Sequence, residues 1–360
     1  MDLSSLELKN RDFDDIQDFI KYLEMEHPNS QGSGKIHIVA TISTFESING
    51  FIQSLNEFKF TIEKKSGKLL LISKITNKKK VYFFVFFDDR NNVPLFITDA
   101  KKTNEIPETL FRYINHSKEI SNLWIAPKIM KEIKDDLATE FDEMIITYFS
   151  ARRGSNTDIP SEYRPHIERG IQYHGNDGKH TLEEMEYYYG VLPKILEIQL
   201  PNGVAFRIDN KGIITLRNGH FEGIFKIIEN VVNRLKVVKD AIGESSYSIY
   251  QVGKKKQFNN VIQTPWSISI PTGIYSDDIP NFCNALKSEE WNFAVLDKVT
   301  FNNSLYFSAR LIDGYSGSMI DVSTNGDKLD VYPVEKTDIG TSMRFFEYIL
   351  ENIDYSATVR

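Results

Sequence analysis

The sequence predicts an α+β fold with three tandem β-α-β-β-β-β-α units, antiparallel sheets and an N-terminal amphipathic helix. Three observations support this prediction. Strand-type runs and helix-type segments follow one another in the same order three times along the 360 residues. Apolar positions match between the copies, as expected for a duplicated unit. A content of 41% hydrophobic and 26% charged residues is typical of a globular chain with two or three cores.

Residues 1–34 are predicted to form a helix followed by a linker. Within "RDFDDIQDFIKYLEMEH", Phe13, Phe19 and Leu23 fall on one face at helical spacing, and acidic residues near the start suit the helix dipole. The stretch "PNSQGSGK" then ends the helix. We expect the apolar face to dock on the protein body, with a partner protein as the alternative.

The first predicted repeat covers residues 35–119. It begins with the strand "KIHIVATI" and the helix "TFESINGFIQSLNE", continues with four strands, and closes with the helix "IPETLFRYINH". One of its strands contains "VYFFVFF", residues 81–87, which is apolar at every position. A strand that is apolar on both faces indicates a sheet that is covered on both sides.

The second predicted repeat covers residues 120–242 and the third covers residues 243–360. The second is interrupted between its second and third strands by an insertion, residues 151–191, which we call the inserted arm. After the arm, the strands resume as "KILEIQL", "GVAFRID" and "GIITLRN". The turns "PNG" and "DNKG" between them have glycine where a positive φ is expected, as in β-hairpins.

This element order resembles the TATA-box-binding-protein-like fold. The stretches that carry the resemblance are "VYFFVFF" and the hairpin "VAFRIDNKGIITLRNG", residues 204–219. The resemblance implies a curved antiparallel sheet with helices on its convex side. It also implies a concave face that can lie on a nucleic-acid minor groove. The resemblance covers most of the chain by element order, without a specific sequence motif.

The inserted arm contains the densest group of chemically active side chains, and three interpretations compete for it. As a catalytic or metal site it would use imidazole and carboxylate groups. These are His166, His174, His180, Asp177, Glu168 and Glu183. As a nucleic-acid or anion contact it would combine guanidinium forks with stacking rings. These are Arg152, Arg153, Arg164, Arg169, Tyr163, Tyr173 and His174.

The third interpretation of the arm is structural. "TLEE" predicts a capping box in which Thr181 caps a helix and Glu184 reaches back to the cap, and Gly190 ends that helix. The neighbouring tyrosines would cover apolar surface while their hydroxyls stay in water.

Lysine clusters provide further candidate contacts for nucleic acid or a partner. They are Lys78, Lys79, Lys80, Lys254, Lys255 and Lys256. The formal net charge of −7 argues against binding by bulk electrostatics, so such a contact requires a local patch. Solvated turn lysines that keep strand edges soluble are the alternative.

Several classes of protein lose support from the sequence. Cys283 is the only cysteine, so neither an internal disulfide nor a cysteine-based zinc site can form. Phosphate-loop, nucleophile-elbow and H-E-x-x-H motifs are absent. The N-terminus lacks a signal-peptide pattern and no apolar window is long enough to span a membrane. We therefore expect a cytoplasmic protein without a metal or small-molecule cofactor.

The sequence favours a non-enzymatic binding or scaffold protein that engages a macromolecule through its sheet faces and the inserted arm. Nucleic acid is favoured over protein because of the fold resemblance. One alternative is a nuclease-like enzyme with its site at residues 152–190. The other is a protein-binding subunit of a larger complex.

Overall fold

The structure is a computed structural model that describes residues 11–26, 35–76, 79–154, 159–252, 258–275, 279–301, 306–335 and 338–360. Eight α-helices and a set of antiparallel sheets form this part of the chain. The predicted α+β class is therefore confirmed. Within the same residues, none of the helices has the length and apolarity that crossing a membrane requires.

The chain divides into two compact units. Unit 1 comprises residues 1–153 and 160–233, and unit 2 comprises residues 154–159 and 234–360. The sequence places a repeat boundary between residues 119 and 120, which lies inside unit 1. Strands from both sides of that position belong to one sheet, so the first two predicted repeats share a single compact unit.

Unit 1 contains eleven strands and most of the helices. Its helices are α1 (Ile16–Glu26), α2 (Ile48–Glu57), α3 (Arg112–His116), α4 (Pro127–Glu140), α5 (Gly178–Tyr189) and the first part of α6 (Glu222–Glu244), with a π-helical turn at Pro107–Phe111. Its strands are β1 (Ile36–Ser43), β2 (Thr61–Ser66), β3 (Leu69–Thr76), β4 (Lys79–Asp88), β5 (Val93–Thr98), β6 (Ile120–Asn122), β7 (Ile145–Arg153), β8 (Arg169–His174), β9 (Leu192–Gln199), β10 (Ala205–Asp209) and β11 (Ile213–Asn218).

These strands form one sheet in the order β2-β3-β4-β5-β1-β11-β10-β9-β7-β8, with β6 also paired to β1. Strand β1 is central. Its Ile38 lies opposite Ile97 of β5 on one side and opposite Ile214 of β11 on the other. All of these pairs are antiparallel, and all eight residues of β1 are buried.

Helix α2 covers one side of the first half of this sheet. Ser47 begins the helix by accepting a hydrogen bond from the backbone N–H of Gly50. Its Phe51 is fully buried, with ring centroids 5.5 Å from Phe87 and 6.1 Å from Phe96. This side therefore contains the main aromatic core of unit 1.

Helix α1 covers the other side of β4. Phe19 is fully buried, and its ring centroid lies 6.0 Å from that of Phe84. Phe13 packs beside it at 5.8 Å. The expected docking of this helix on the body is thus observed, and the strand that is apolar on both faces is covered on both sides.

The inserted arm adds a strand and a helix at one edge of the sheet. Strand β8 pairs with β7, and α5 follows it. The predicted capping box is wrong. Helix α5 begins at Gly178 after Asp177, and Thr181 lies in its first turn, where its N–H bonds the carbonyl of Asp177. The predicted end is correct, because Gly190 follows the helix at φ 58°.

Unit 2 contains the remaining strands and helices. They are β12 (Ser246–Val252), β13 (Phe258–Thr264), β14 (Trp266–Ser269), α7 (Ile279–Leu286), β15 (Phe293–Phe301), β16 (Tyr306–Asp313), β17 (Met319–Thr324), β18 (Lys328–Pro333), α8 (Ile339–Asn352) and β19 (Thr358–Val359). One sheet has the order β15-β16-β17-β18-β14-β19, and β12 pairs with β13 in a separate hairpin. The strand order β15-β16-β17-β18-β14 matches the order β2-β3-β4-β5-β1 in unit 1.

Candidate binding site

Strands β7, β9, β10 and β11 have one apolar and one polar side. Directly opposite residues of an antiparallel sheet lie on the same side. The registers therefore place Leu196, Phe206, Ile214 and their neighbours on one side, where they are buried. The other side is the polar sheet face, formed by Tyr148, Ser150, Ile195, Glu197, Arg207, Asp209, Thr215 and Arg217.

A groove of about 690 Å³ lies on this side of the sheet, beside α3. It is lined by Lys102, Pro107, Phe111, Arg112, Asn115, His116, Ile195, Arg207, Asp209, Asn210, Lys211 and Ile213. We call it the basic groove, because its lining contains four permanently cationic side chains and one carboxylate. Its formal charge of +3, with histidine neutral, contrasts with the −7 of the whole chain.

Arg207 is at the centre of the polar sheet face. It lies on β10 between the buried Phe206 and Ile208, so its guanidinium extends from the polar side. The guanidinium carbon lies 4.5 Å from the ring centroid of Tyr148. The Nε of Arg207 is buried and has no hydrogen-bond partner among the described residues. A stacked guanidinium with spare donors is suited to an anionic oxygen.

Asp209 organises the turn at the end of the groove. Its Oδ1 accepts hydrogen bonds from the backbone N–H of Lys211 at 3.0 Å and of Ile213 at 3.1 Å. Gly212 follows with φ 69°, as the "DNKG" hairpin pattern predicts. The other carboxylate oxygen of Asp209 forms an ion pair with Lys102. This ion pair holds Lys102 at the groove, although Lys102 and Asp209 are 107 residues apart in sequence.

Two cations of the groove remain available to a ligand. Arg112 and Lys211 are exposed and form no ion pair among the described residues. Arg112 lies in the first turn of α3 and Lys211 in the hairpin turn. They contribute charge without a neutralising carboxylate.

His37 lies beneath the groove on β1. Its Nδ1 is 2.9 Å from Thr215 Oγ1. Burial, reinforced by the positive charges of Lys102 and Lys35, lowers the pKa of His37 to about 4. The imidazole is therefore neutral at neutral pH and adds no charge to the groove.

Glu197 lies directly opposite Arg207 on the polar sheet face and is paired with Arg217. Glu197 Oε2 lies 2.6 Å from Arg217 NH2, and Glu197 Oε1 accepts a hydrogen bond from Thr147. The carboxylate beside Arg207 is therefore neutralised by Arg217, and the excess positive charge lies in the lining of the basic groove.

Three of the four arginines proposed as phosphate contacts in the arm have other partners. Arg152 forms an ion pair with Glu168. Arg169 donates to the carbonyl of Arg164 at 2.8 Å, and its guanidinium carbon is 4.9 Å from the Tyr189 ring centroid. Arg164 is exposed and has a φ of 51°.

Arg153 is unsuited to ligand binding. It is only 2% exposed and donates to the carbonyls of Pro165 at 2.9 Å and Gly190 at 3.1 Å. Its guanidinium therefore connects the two ends of the inserted arm. A nucleic acid on the surface has no access to it.

Tyr173 and His174 lie on opposite sides of the edge strand β8. Tyr173 stacks on Phe149 on the apolar side and donates to Asp177 Oδ1 at 2.6 Å. That hydrogen bond lowers the pKa of Asp177 and raises the pKa of Tyr173. His174 is exposed, and its ring centroid is 4.5 Å from that of Tyr148. His174 thus extends the polar sheet face into the arm.

Lys79 and Lys80 do not line the basic groove. Lys79 forms an ion pair with Glu105 at 2.6 Å and Lys80 with Glu63 at 2.7 Å. Lys78, Lys254, Lys255 and Lys256 lie outside the described residues.

The proposed metal or catalytic grouping in the arm is not assembled. No group of three or more potential metal ligands occurs in the part of the chain that the structure describes. His180 lies 3.7 Å from Glu183, one turn along α5, while Glu168 is engaged with Arg152. His166 is exposed on the preceding loop.

Sequence reasoning missed Lys102, Arg112, Arg207 and Lys211 as members of one site. The signal for Arg207 was the alternation in "VAFRID", where an arginine interrupts a buried apolar strand. The positions of the other three depend on pairing between β1 and β11, which local periodicity does not reveal.

The fold and site define an α+β protein with a partly buried polar sheet face and a basic groove. A family model described as a family middle domain, AF_0896_M, matches residues 128–211. A protein from Archaeoglobus fulgidus, whose name assigns no activity, is 31% identical over 349 residues, which is 94% of each chain. The chain belongs to the family of this archaeal protein.

Proposed function

We propose that the chain is a non-enzymatic binding protein that holds the phosphate backbone of a nucleic acid on its polar sheet face. The observation that carries the proposal is the basic groove. Four cations converge there with one carboxylate, in a chain whose net charge is −7. Such a local concentration is what backbone binding requires of an acidic protein.

Arg207 supports the assignment of a phosphate as the ligand. Its guanidinium is fixed over Tyr148 at 4.5 Å and has a buried Nε with no hydrogen-bond partner among the described residues. A guanidinium fixed in this way loses little side-chain entropy when it binds an oxyanion. The exposed ring of His174 offers a stacking surface at the edge of the same face.

The element order supports the same function. The matching strand orders β2-β3-β4-β5-β1 and β15-β16-β17-β18-β14 favour the TATA-box-binding-protein-like repeat that the sequence resembles. We extend that resemblance to three repeats, the second interrupted by the inserted arm. In that family a sheet face meets nucleic acid.

Salt dependence tests the proposal. Anisotropy of a labelled 20-nucleotide single strand and of its duplex is measured with the full chain between 50 and 300 mM salt. With three to four phosphate contacts, the logarithm of affinity is expected to fall with the logarithm of salt with a slope of about −3 on the duplex. R207M is expected to weaken binding and to reduce the slope by about 1.

A second groove variant and a matched control test whether the effect is specific to the basic groove. K211A removes an exposed cation of the groove, whereas K65A removes an exposed lysine of β2 at the other end of the sheet. We expect K211A to reduce the slope and K65A to leave it unchanged. A salt-independent interaction, equal effects of K211A and K65A, or no binding of either oligonucleotide at 50 mM salt would overturn the proposal.

A further inference from the structure

The inserted arm presents a cluster of four tyrosines, Tyr163, Tyr187, Tyr188 and Tyr189, which we call the tyrosine platform. The rings of Tyr163 and Tyr188 are stacked at 5.5 Å, and Tyr187 meets Tyr188 edge-on at 5.0 Å. Tyr187 is 70% exposed and Tyr163 is 48% exposed. The sequence-based expectation that Tyr187 covers apolar surface does not account for its exposure.

The platform is held in place before any partner arrives. The backbone N–H of Tyr163 donates to the carbonyl of Tyr188 at 2.9 Å, and Ser161 Oγ donates to the same carbonyl at 3.2 Å. Below it, Arg153 bonds the carbonyls of Pro165 and Gly190. A rigid aromatic surface loses little entropy on binding, and exposed tyrosines are typical of binding hot spots.

The platform already binds one cation of its own chain. The guanidinium carbon of Arg169 lies 4.9 Å from the Tyr189 ring centroid. Aromatic faces attract cations through the negative potential over the ring. The outer rings, Tyr187 and Tyr188, offer the same kind of face to the solvent.

Carboxylates surround the exposed rings. Glu183 and Glu184 are exposed and lie one helical turn before Tyr187 and Tyr188 on α5. The charge of Glu162 raises the pKa of Tyr163, which places a further carboxylate next to the platform. Arg164 and Arg169 also lie beside the platform, so three carboxylates face two cations there and the balance favours a cationic ligand over phosphate.

We propose that the tyrosine platform is the docking surface for a lysine- or arginine-rich segment of a protein partner. The exposed rings bind the cationic side chains, and Glu162, Glu183 and Glu184 neutralise their charge. The basic groove and the platform thus carry opposite charges and take ligands of opposite sign. The platform is a second binding site, in addition to the proposed nucleic-acid site.

A pair of synthetic peptides tests the proposal. The probe is a labelled 12-residue peptide with six lysines separated by glycine and serine, and its control has glutamine at the six positions. Binding to the full chain is measured by anisotropy at 50 mM salt. We expect the lysine peptide to bind at least about tenfold more tightly than the glutamine peptide, and Y187A/Y188A to weaken it about fivefold or more.

Matched variants distinguish the platform from general acidity. Y275A removes a tyrosine of similar exposure, 57%, in unit 2 and is expected to leave peptide binding within twofold. E184Q is expected to weaken binding by about twofold to threefold. R207M is expected to leave peptide binding unchanged. Failure of the peptide-docking proposal is therefore distinguishable from failure of the nucleic-acid proposal.

Three results would overturn the proposal. The first is equal binding of the lysine and glutamine peptides. The second is binding of the lysine peptide by Y187A/Y188A as tightly as by wild type. In the third, Y187A/Y188A weakens oligonucleotide binding and spares peptide binding, which would assign the platform to nucleic acid.

Discussion

Lys134 and Glu186 form a buried ion pair that joins α4 to α5. Lys134 Nζ donates to Glu186 Oε1 at 3.0 Å and Oε2 at 2.9 Å, and the lysine side chain is 2% exposed. Burial raises the pKa of Glu186, although the lysine opposes that change. The pair anchors the helix of the inserted arm to the body of unit 1.

We expect K134M to destabilise the α4 and α5 region by about 3 kcal/mol, because it leaves the buried carboxylate of Glu186 with only the more distant Lys131 Nζ, at 3.8 Å. Hydrogen exchange of the α4 and α5 amides measures the loss. K134M/E186L is expected to recover most of it. K131M removes a half-exposed lysine that pairs with Asp135 and reaches Glu186 Oε2 only at 3.8 Å, so it is expected to cost less than about 1 kcal/mol. Equal losses in K134M and K131M would contradict this role of the pair.

A second prediction concerns neighbouring arginines of β7. R153M removes buried donors from the carbonyls of Pro165 and Gly190, so we expect the arm to loosen. The measurement is the rate of amide hydrogen exchange in α5, which should rise at least about tenfold. R152M removes a partly exposed ion pair to Glu168 and should leave the rate within about twofold. Similar rates in the two variants would show that burial of Arg153 does not hold the arm.

Local periodicity predicted the helices and strands of the fold but not the long-range pairing between strands. The apolar spacing of α1 and the all-apolar "VYFFVFF" run predicted correctly where these elements bury their side chains. The pairing of β1 with β11 joins His37 to Thr215, 178 residues apart. No local pattern encodes that register, so the sequence did not predict a single sheet for the first two repeats.

The same limit applies to the candidate site. Arg152 and Arg153 are chemically identical in the sequence, but successive strand residues face opposite sides, and only one of the two is buried. Residue type alone made both of them candidates. Arg207, by contrast, was marked by the buried Phe206 and Ile208 beside it.

A third prediction concerns the start of α8 in unit 2. Asp338 Oδ1 accepts from the N–H of Thr341 at 3.1 Å, and Oδ2 accepts from Ser318 Oγ at 2.7 Å. We expect D338A to destabilise α8 by about 1 to 2 kcal/mol, because both the helix cap and a buried acceptor are lost. Hydrogen exchange of the α8 amides reports the change. D338N keeps a capping oxygen and should lose less than half as much; equal losses would show that capping is not responsible.

The last prediction is a pH dependence that originates under the basic groove. The pKa of His37 is about 4 in the folded state, below its ordinary value of 6.5, because burial and Lys102 disfavour the charged form. Its contribution to stability is therefore complete above pH 6.5 and is lost as pH falls from 6.5 to 4. The full loss is roughly 3 kcal/mol.

Hydrogen exchange of the β1 and β11 amides, corrected for the intrinsic effect of pH, measures this loss between pH 7 and pH 4. H37N removes the titrating group and retains a polar contact for Thr215. We expect it to flatten the decline in β1 and β11 stability relative to wild type. H180N removes an imidazole that is 82% exposed on α5 and should leave the decline as it is in wild type. The same decline in H37N and wild type would mean that His37 is not the group responsible.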